Sequence, residues 1–324
     1  MTQDEINEKL KNDPFIKLWE KNYYENYNNG KFSNEKTRPL SFLTNTQPYA
    51  NVPIVLVGAG PSVDENIHYL KEFQNNCIIF CADINIFTLL EKDIKPDFVI
   101  TIDPHEILSA SWHDQNTSDL TLMCPTTVNP LLANMWQGNI FFFNQSDIPN
   151  TPKGDALKKL TKATAGWGSI ENNFFVGATM LQLSRMLKPK VVLLAGYDFA
   201  YREEKTYCKG VFERRALYDL EYKYDEKEHI KRIKELEDYE YKLKDIKINV
   251  NGKEIWTTKK LLYYKNHFVH LYNDFKLPVI NATEGGILTE IPRMPLKDAL
   301  AKHCSTPIIK KDVFVLPKHK RKRH

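Results

Sequence analysis

Short apolar runs without polar interruption, set between helix-length segments, constrain this chain more than any other feature. "PIVLVG" leads into "VDENIHYLKEF", and "CIIFCAD" into "INIFTLLEKD". "DFVITID", "LTLMCP" with "PLLANMW", "NIFFFN", "KVVLLAGYDF" and a closing "LPVINATEGG" continue the pattern. A strand with one wet face alternates apolar and polar residues, so unbroken β-branched and aromatic runs imply cover on both faces. Strand alternating with helix then argues for a parallel sheet with right-handed crossovers. The expected fold class is α/β: a Rossmann-like, mostly parallel sheet with helices on both faces, plus a helical insert and an N-terminal helical extension.

The texture divides the chain. Residues 1–50 read as an extension, with a helix near Asp4 to Asn22 and an Asn-rich meander after it. Residues 51–300 read as the nucleotide-binding catalytic domain. Its charged insert, 203–247, carries opposite charges three and four apart, as a solvent-facing helix or lid does. Residues 301–324 form a tail ending in "KHKRKRH", which reads as a solvated charge run, with an anionic membrane surface as the alternative partner. The net charge is only +4 and the last seven residues hold five Lys and Arg, so the body is near neutral and offers no case for a nucleic-acid partner. Five cysteines without CxxC spacing read as reduced thiols, and "MTQDEINEKLKNDPF" has no apolar signal core. A cytoplasmic protein is expected.

In open α/β sheets ligands collect beyond the carboxyl ends of the strands, so the residues there are the candidates. The first long strand ends in Gly58-Ala59-Gly60-Pro61-Ser62, a turn that can bring backbone amides close to a phosphate. Later strands end in Asp83, Asp103 and Asp198. Several carboxylates on one rim are costly unless a metal, a ribose or another hydroxyl answers them. Alone, Asp83 or Asp103 would serve as a cap or turn residue; at successive strand ends they argue for a site. Asp97 reads as a turn residue at a strand entrance. "AGWGSIENNFFVGA" is a second candidate loop, through Gly166, Gly168, Ser169 and Asn173. His105 and His113 follow Asp103 closely and read as exposed loop histidines, with acid–base work as the alternative. His267 and His270 read as structural.

Together "GAGPSVDENI", "ADINIFTLLEKDIKPDFVITIDPHE", "AGYDFAY", "GKEIWTT" and "VINATEGGILTEIPRMPL" resemble, in order from about Pro53 to Leu300, a known family. It comprises the bacterial motility accessory factors and the archaeal 6-hydroxymethylpterin diphosphokinases that share their core domain. The core is also similar to bacterial sialyltransferases of the lipooligosaccharide type, through the Gly-x-Gly-Pro-Ser turn and the Gly-x-Asp-Phe strand end. The resemblance implies that Gly58, Gly60, Pro61 and Ser62 hold the phosphate end of a nucleotide, with Asp83 and Gly177 near it. Asp198 would lie on the acceptor or sugar side, and Asp103 or Asp198 would take the acceptor proton. Phe175-Val176-Gly177 stands where the sialyltransferases carry Thr-Ser-Gly, and "NVNGKEIWTT" has no histidine where they carry a base.

The implied activity is transfer of a nonulosonic sugar, such as pseudaminic, legionaminic or sialic acid, from a CMP-activated donor to a protein or glycan acceptor, as in flagellin glycosylation. The CMP-sugar is then a substrate, no cofactor is assigned with certainty, and Mg2+ stays open. The alternative is diphosphate transfer from ATP to a pterin alcohol, in which Asp83 and Asp103 would hold Mg2+. That pattern also resembles thiamin pyrophosphokinases, without their paired second acidic site. A non-catalytic nucleotide-binding assembly protein is the third reading.

Overall fold

The computed structural model describes residues 13–147, 152–171, 173 and 175–310. Its main sheet has nine strands. They are β1 (Thr37–Pro39), β2 (Pro53–Val57), β3 (Ile78–Ala82), β4 (Phe98–Ile100), β5 (Thr121–Pro125), β6 (Asn139–Ser146), β7 (Ser169–Glu171), β8 (Val191–Ala195) and, past a separate hairpin, β11 (Val279–Asn281). The order is β1-β6-β5-β4-β3-β2-β8-β11, with β7 beside β6, and every pairing in it is parallel. The doubly covered α/β sheet expected from the sequence is thus present.

Why these runs form central strands is visible in their side chains. Pro53–Val57, Ile78–Ala82 and Val191–Ala195 are buried at every position. Alternate residues feed two apolar layers, since successive strand side chains point to opposite faces. Val55, Val57, Ile79 and Cys81 pack with Val63, Ile67, Leu89 and Leu300 on one face. Ile54, Leu56, Ile78 and Phe80 pack with Leu43, Ala178, Leu181 and Phe268 on the other. Each such side chain contributes roughly 1.5–3 kcal/mol on full burial, so a charge in any of these runs would break the sheet locally. All five cysteines are buried free thiols within or beside these layers.

From β2 the chain steps through β3, β4, β5 and β6 to one side, and later returns to β8 on the other side of β2. The direction of winding therefore reverses between β2 and β8, which pair from Pro53↔Val191 to Val57↔Ala195. A crevice at the carboxyl ends of the strands is expected at such a reversal.

The segment before β2 departs from its sequence reading. Its helix is Pro14–Asn28; residues 1–12, where an earlier start was expected, lie outside the described residues. Asp13 caps it by accepting the Phe15 N–H, and Pro14 occupies the first turn, where no intrahelical partner for an N–H exists. Thr37–Pro39 then joins the sheet beside β6, ending at a proline that cannot extend the ladder. The charged stretch forms helices Val211–Asp219 and Glu226–Lys242, the latter without a buried residue. After it comes an antiparallel hairpin, β9 (Ile246–Val250) and β10 (Lys253–Thr257), turning at Asn251-Gly252 with φ of 52° and 84°. The Lys318–His324 tail lies outside the described residues. Among the described residues no helix is long and apolar enough to cross a membrane.

Candidate functional site

A cleft of about 750 Å³ opens at the carboxyl ends of β2, β3, β4 and β8, within the size range of small-molecule sites. Gly58, Ala59 and Gly60 enter it from β2, Asp83 and Ile84 from β3, Asp103, Pro104 and His105 from β4, and Gly196 and Tyr197 from β8. Phe175, Gly177 and Tyr264 make an aromatic wall, with Phe175 and Tyr264 stacked at 4.9 Å between ring centres and 17° between planes. Phe15 and Trp19 of the first helix and Lys153 close the side nearest His105, and Lys260 adds a second cation.

Of the sequence-derived site residues, Gly58, Gly60, Asp83, Asp103 and Gly177 line this one cleft. Ser62 and Asp198 do not line it. The Ser62 hydroxyl donates to Asp198 Oδ2 at 2.7 Å and the Ser62 N–H reaches the same oxygen at 3.4 Å, with both side chains buried. Because β2 and β8 are neighbours, the residues just past their ends face each other beneath the turn. Ser62 and Asp198 therefore tie two loops together, and Pro61 also lies off the wall. Burial pushes the Asp198 carboxyl up to about 7, against the opposing hydrogen bonds from Ser62 and the charge of Arg202.

The glycine turn is likewise built for backbone proximity. The Gly58 N–H donates to Ala195 O at 2.8 Å and the Gly60 N–H to Gly196 O at 3.0 Å. A Cβ on Gly58 would stand 2.5 Å from Gly196 O, and one on Gly60 would overlap the Asp198 carboxyl. The following helix, Val63–Asn66, spans a single turn, and its first N–H groups bond back to Gly60 and Pro61 carbonyls. The first N–H groups of that short helix are thus spent within the turn itself. Gly177 has a comparable reason: its Cβ would stand 2.6 Å from the Phe175 ring and 2.9 Å from that of Tyr197.

The reactive groups lie along the strand ends next door. Asp83 is 2 % exposed; Oδ1 accepts the Ile84 N–H at 2.8 Å, while Oδ2 is buried without a hydrogen-bond partner. Burial raises its carboxyl to about 7; the nearby charge of Asp103 adds to the rise and the Ile84 N–H opposes it. A lone buried carboxyl of this kind is expensive unless a ligand meets it. Asp103 Oδ1 accepts the His105 backbone N–H at 2.9 Å and lies 2.5 Å from His105 Nδ1. A carboxylate oxygen accepts, so that contact puts a ring proton on Nδ1, and the neutral ring then has Nε2 as its acceptor. The sequence reading left His105 as a loop histidine; the local Asp-Pro-His spacing was its one available signal.

The second candidate loop reaches the cleft through Asn173 alone among its four named residues. Asn173 accepts from His267 Nε2 at 3.0 Å, and burial lowers the His267 pKa, as a structural histidine requires. His113 stacks on Tyr222 at 3.6 Å, away from the cleft. Among the described residues no three His, Cys, Asp or Glu side chains gather as a metal site. Asp83 and Asp103 still each keep one oxygen unused by these bonds. Two carboxylates suit Mg2+ when substrate phosphates complete its shell.

Comparison with known proteins agrees with this architecture. No curated protein sequence matches the chain. Among solved structures, the MAf glycosyltransferase from Magnetospirillum magneticum AMB-1 aligns with a TM-score of 0.54 at 14% identity. The alignment covers 83% of this chain and 41% of that one, so the chain spans about two fifths of that protein's length. The model of a family described as 6-hydroxymethylpterin diphosphokinase MptE-like matches residues 21–204, a span running from the first helix through the glycine turn, Asp83, Asp103 and Asp198. More than half of the 324 residues fall under that one model, and the chain belongs to the MptE-like family.

Proposed function

We propose that the cleft transfers a glycosyl group from a nucleotide-activated sugar, of the CMP-nonulosonic acid type, to a hydroxyl on a protein or glycan. The observation carrying this reading is the Asp103–His105 pair, bonded at 2.5 Å and lining the same cleft as an aromatic surface that suits a nucleobase. The acceptor hydroxyl attacks the anomeric carbon, its proton passes to His105 Nε2, and the bond from that carbon to the donor phosphate oxygen breaks, releasing CMP. Asp103 holds the ring in the accepting tautomer and stabilises the imidazolium that forms. Lys153 and Lys260 offer positive charge to the departing phosphate. The fold shared with a protein named as a glycosyltransferase supports the reading. Asp198, tied to Ser62 off the cleft wall, has no part in it.

Asp83 and Asp103 on adjacent strand ends favour one second reading, diphosphate transfer from ATP to a pterin alcohol, in keeping with the family's description. Mg2+ held there would neutralise charge on the ATP phosphates. One experiment separates the two. The protein is incubated with a CMP-nonulosonate and a glycan or flagellin-type acceptor, and separately with ATP, Mg2+ and a hydroxymethylpterin. CMP release in the first reaction alone supports sugar transfer; AMP release in the second alone replaces it with the kinase reading. Release in neither, with a thermal shift from one of the nucleotides, leaves a non-catalytic nucleotide-binding assembly role as the outcome.

A further inference from the structure

The first helix does more than cover the sheet. Asn22 and Asn26 lie on its inner face, 1% and 0% exposed, and each spends its side-chain amide on two backbone carbonyls. Asn26 Nδ2 donates to Val128 O at 2.8 Å and to Thr126 O at 3.4 Å. Asn22 Nδ2 donates to Thr127 O at 3.1 Å and, crucially, to Pro104 O at 3.0 Å. Pro104 sits between Asp103 and His105, and it has no N–H with which to anchor itself. The same helix sets the Phe15 ring edge-on to the His105 ring, 5.4 Å between centres and 89° between planes.

We propose that Asn22 is a positioning residue for the Asp103–His105 pair, holding the connecting Pro104 carbonyl so that the histidine ring stays on Asp103. The inference rests on reading that pair as the proton acceptor, yet its test needs no turnover. Both histidine and carboxylate are substantially exposed, at 49% and 44%, so solvent competes for their mutual hydrogen bond and loop geometry decides whether it persists. Asn22 supplies that geometry from a buried, rigid element, as a site-supporting residue must.

Asn26 provides the internal control. Asn22→Ala and Asn26→Ala each orphan two carbonyls under the same helix, and only the first releases Pro104. The readout is the pair of imidazole nitrogen resonances of His105 at a pH where the ring is neutral. These distinguish an Nδ1–H ring from a mixture of tautomers. Wild type and Asn26→Ala are expected to show the Nδ1–H signature, and Asn22→Ala a tautomer mixture, while thermal stability falls in both variants. If Asn22→Ala does not fold, Asn22→Ser, which leaves less empty volume but cannot span to Pro104, is read the same way. Retention of the signature in the Asn22 variant, or its loss in Asn26→Ala as well, overturns the proposal. Absence of any donor turnover by wild type would count against the functional reading alone.

Discussion

Replacing Asp198 by Asn should change how stability depends on pH, because this carboxyl is buried and its proton is held far above its ordinary range. In the folded chain it titrates at about 7, against 3.8 for an ordinary Asp. Between these values the folded state keeps a proton that the unfolded chain has released, so stability falls as pH rises, and the contribution is fully present only below the unfolded value. A rise from 3.8 to about 7, at 1.36 kcal/mol per pH unit, is on the order of 4 kcal/mol. Roughly 3 kcal/mol of it lies above pH 5, where the experiment is practical. Asn is neutral throughout and its carbonyl can accept the Ser62 hydroxyl that Asp198 Oδ2 now accepts at 2.7 Å. Urea unfolding of wild type and Asp198→Asn at pH 5, 6, 7 and 8, taken as a difference, removes every group common to both. The difference should move toward the Asn variant by about 3 kcal/mol from pH 5 to pH 8 and level off above pH 7. A difference constant across that range would refute the buried, proton-holding carboxyl.

Asp83→Asn should show the same trend in the same assay, since burial raises that carboxyl to about 7 too. His105→Asn and Asp103→Asn should each lower turnover about 10²–10⁴-fold with donor KM changed little, measured with a CMP-sugar donor. Gly196→Ala should destabilise by roughly 1–3 kcal/mol, because its φ is +73° and the new Cβ would stand 2.6 Å from Val63 Cγ2. Gly166→Ala, facing open space, should stay within about 0.5 kcal/mol by thermal unfolding. Tyr264→Ala should weaken nucleotide binding by about 1–3 kcal/mol in a calorimetric titration, the range of a lost base–aromatic stack.

How much of this was legible depended on whether the determinant was local. "PIVLV", "CIIFCA" and "VVLLA" announce buried strands through composition alone, and each is a fully buried strand. Asp97, read as a turn residue at a strand entrance, accepts the Ile79 N–H at 2.8 Å there. The hairpin at Asn251-Gly252 was also local, since "IKINVNGKEIWT" alternates around a two-residue Asn-Gly turn, yet the stretch was given no secondary structure. The site divides along the same line. Strand-end position brought out Asp83 and Asp103. Which residues past the ends of β2 and β8 face each other depends on sheet order, and so the bond from Ser62 to Asp198 was not legible. Asn22 is 82 positions from Pro104, and nothing in its neighbourhood in sequence announces that contact.

Crystals grown with CMP test the central claim, that one cleft at the β2–β8 reversal holds the nucleotide, more directly than any rate. The base should lie against Phe175 and Tyr264, with the phosphate oriented toward His105 and the lysines. Nucleotide density on another surface, with that crevice holding solvent alone, would contradict it.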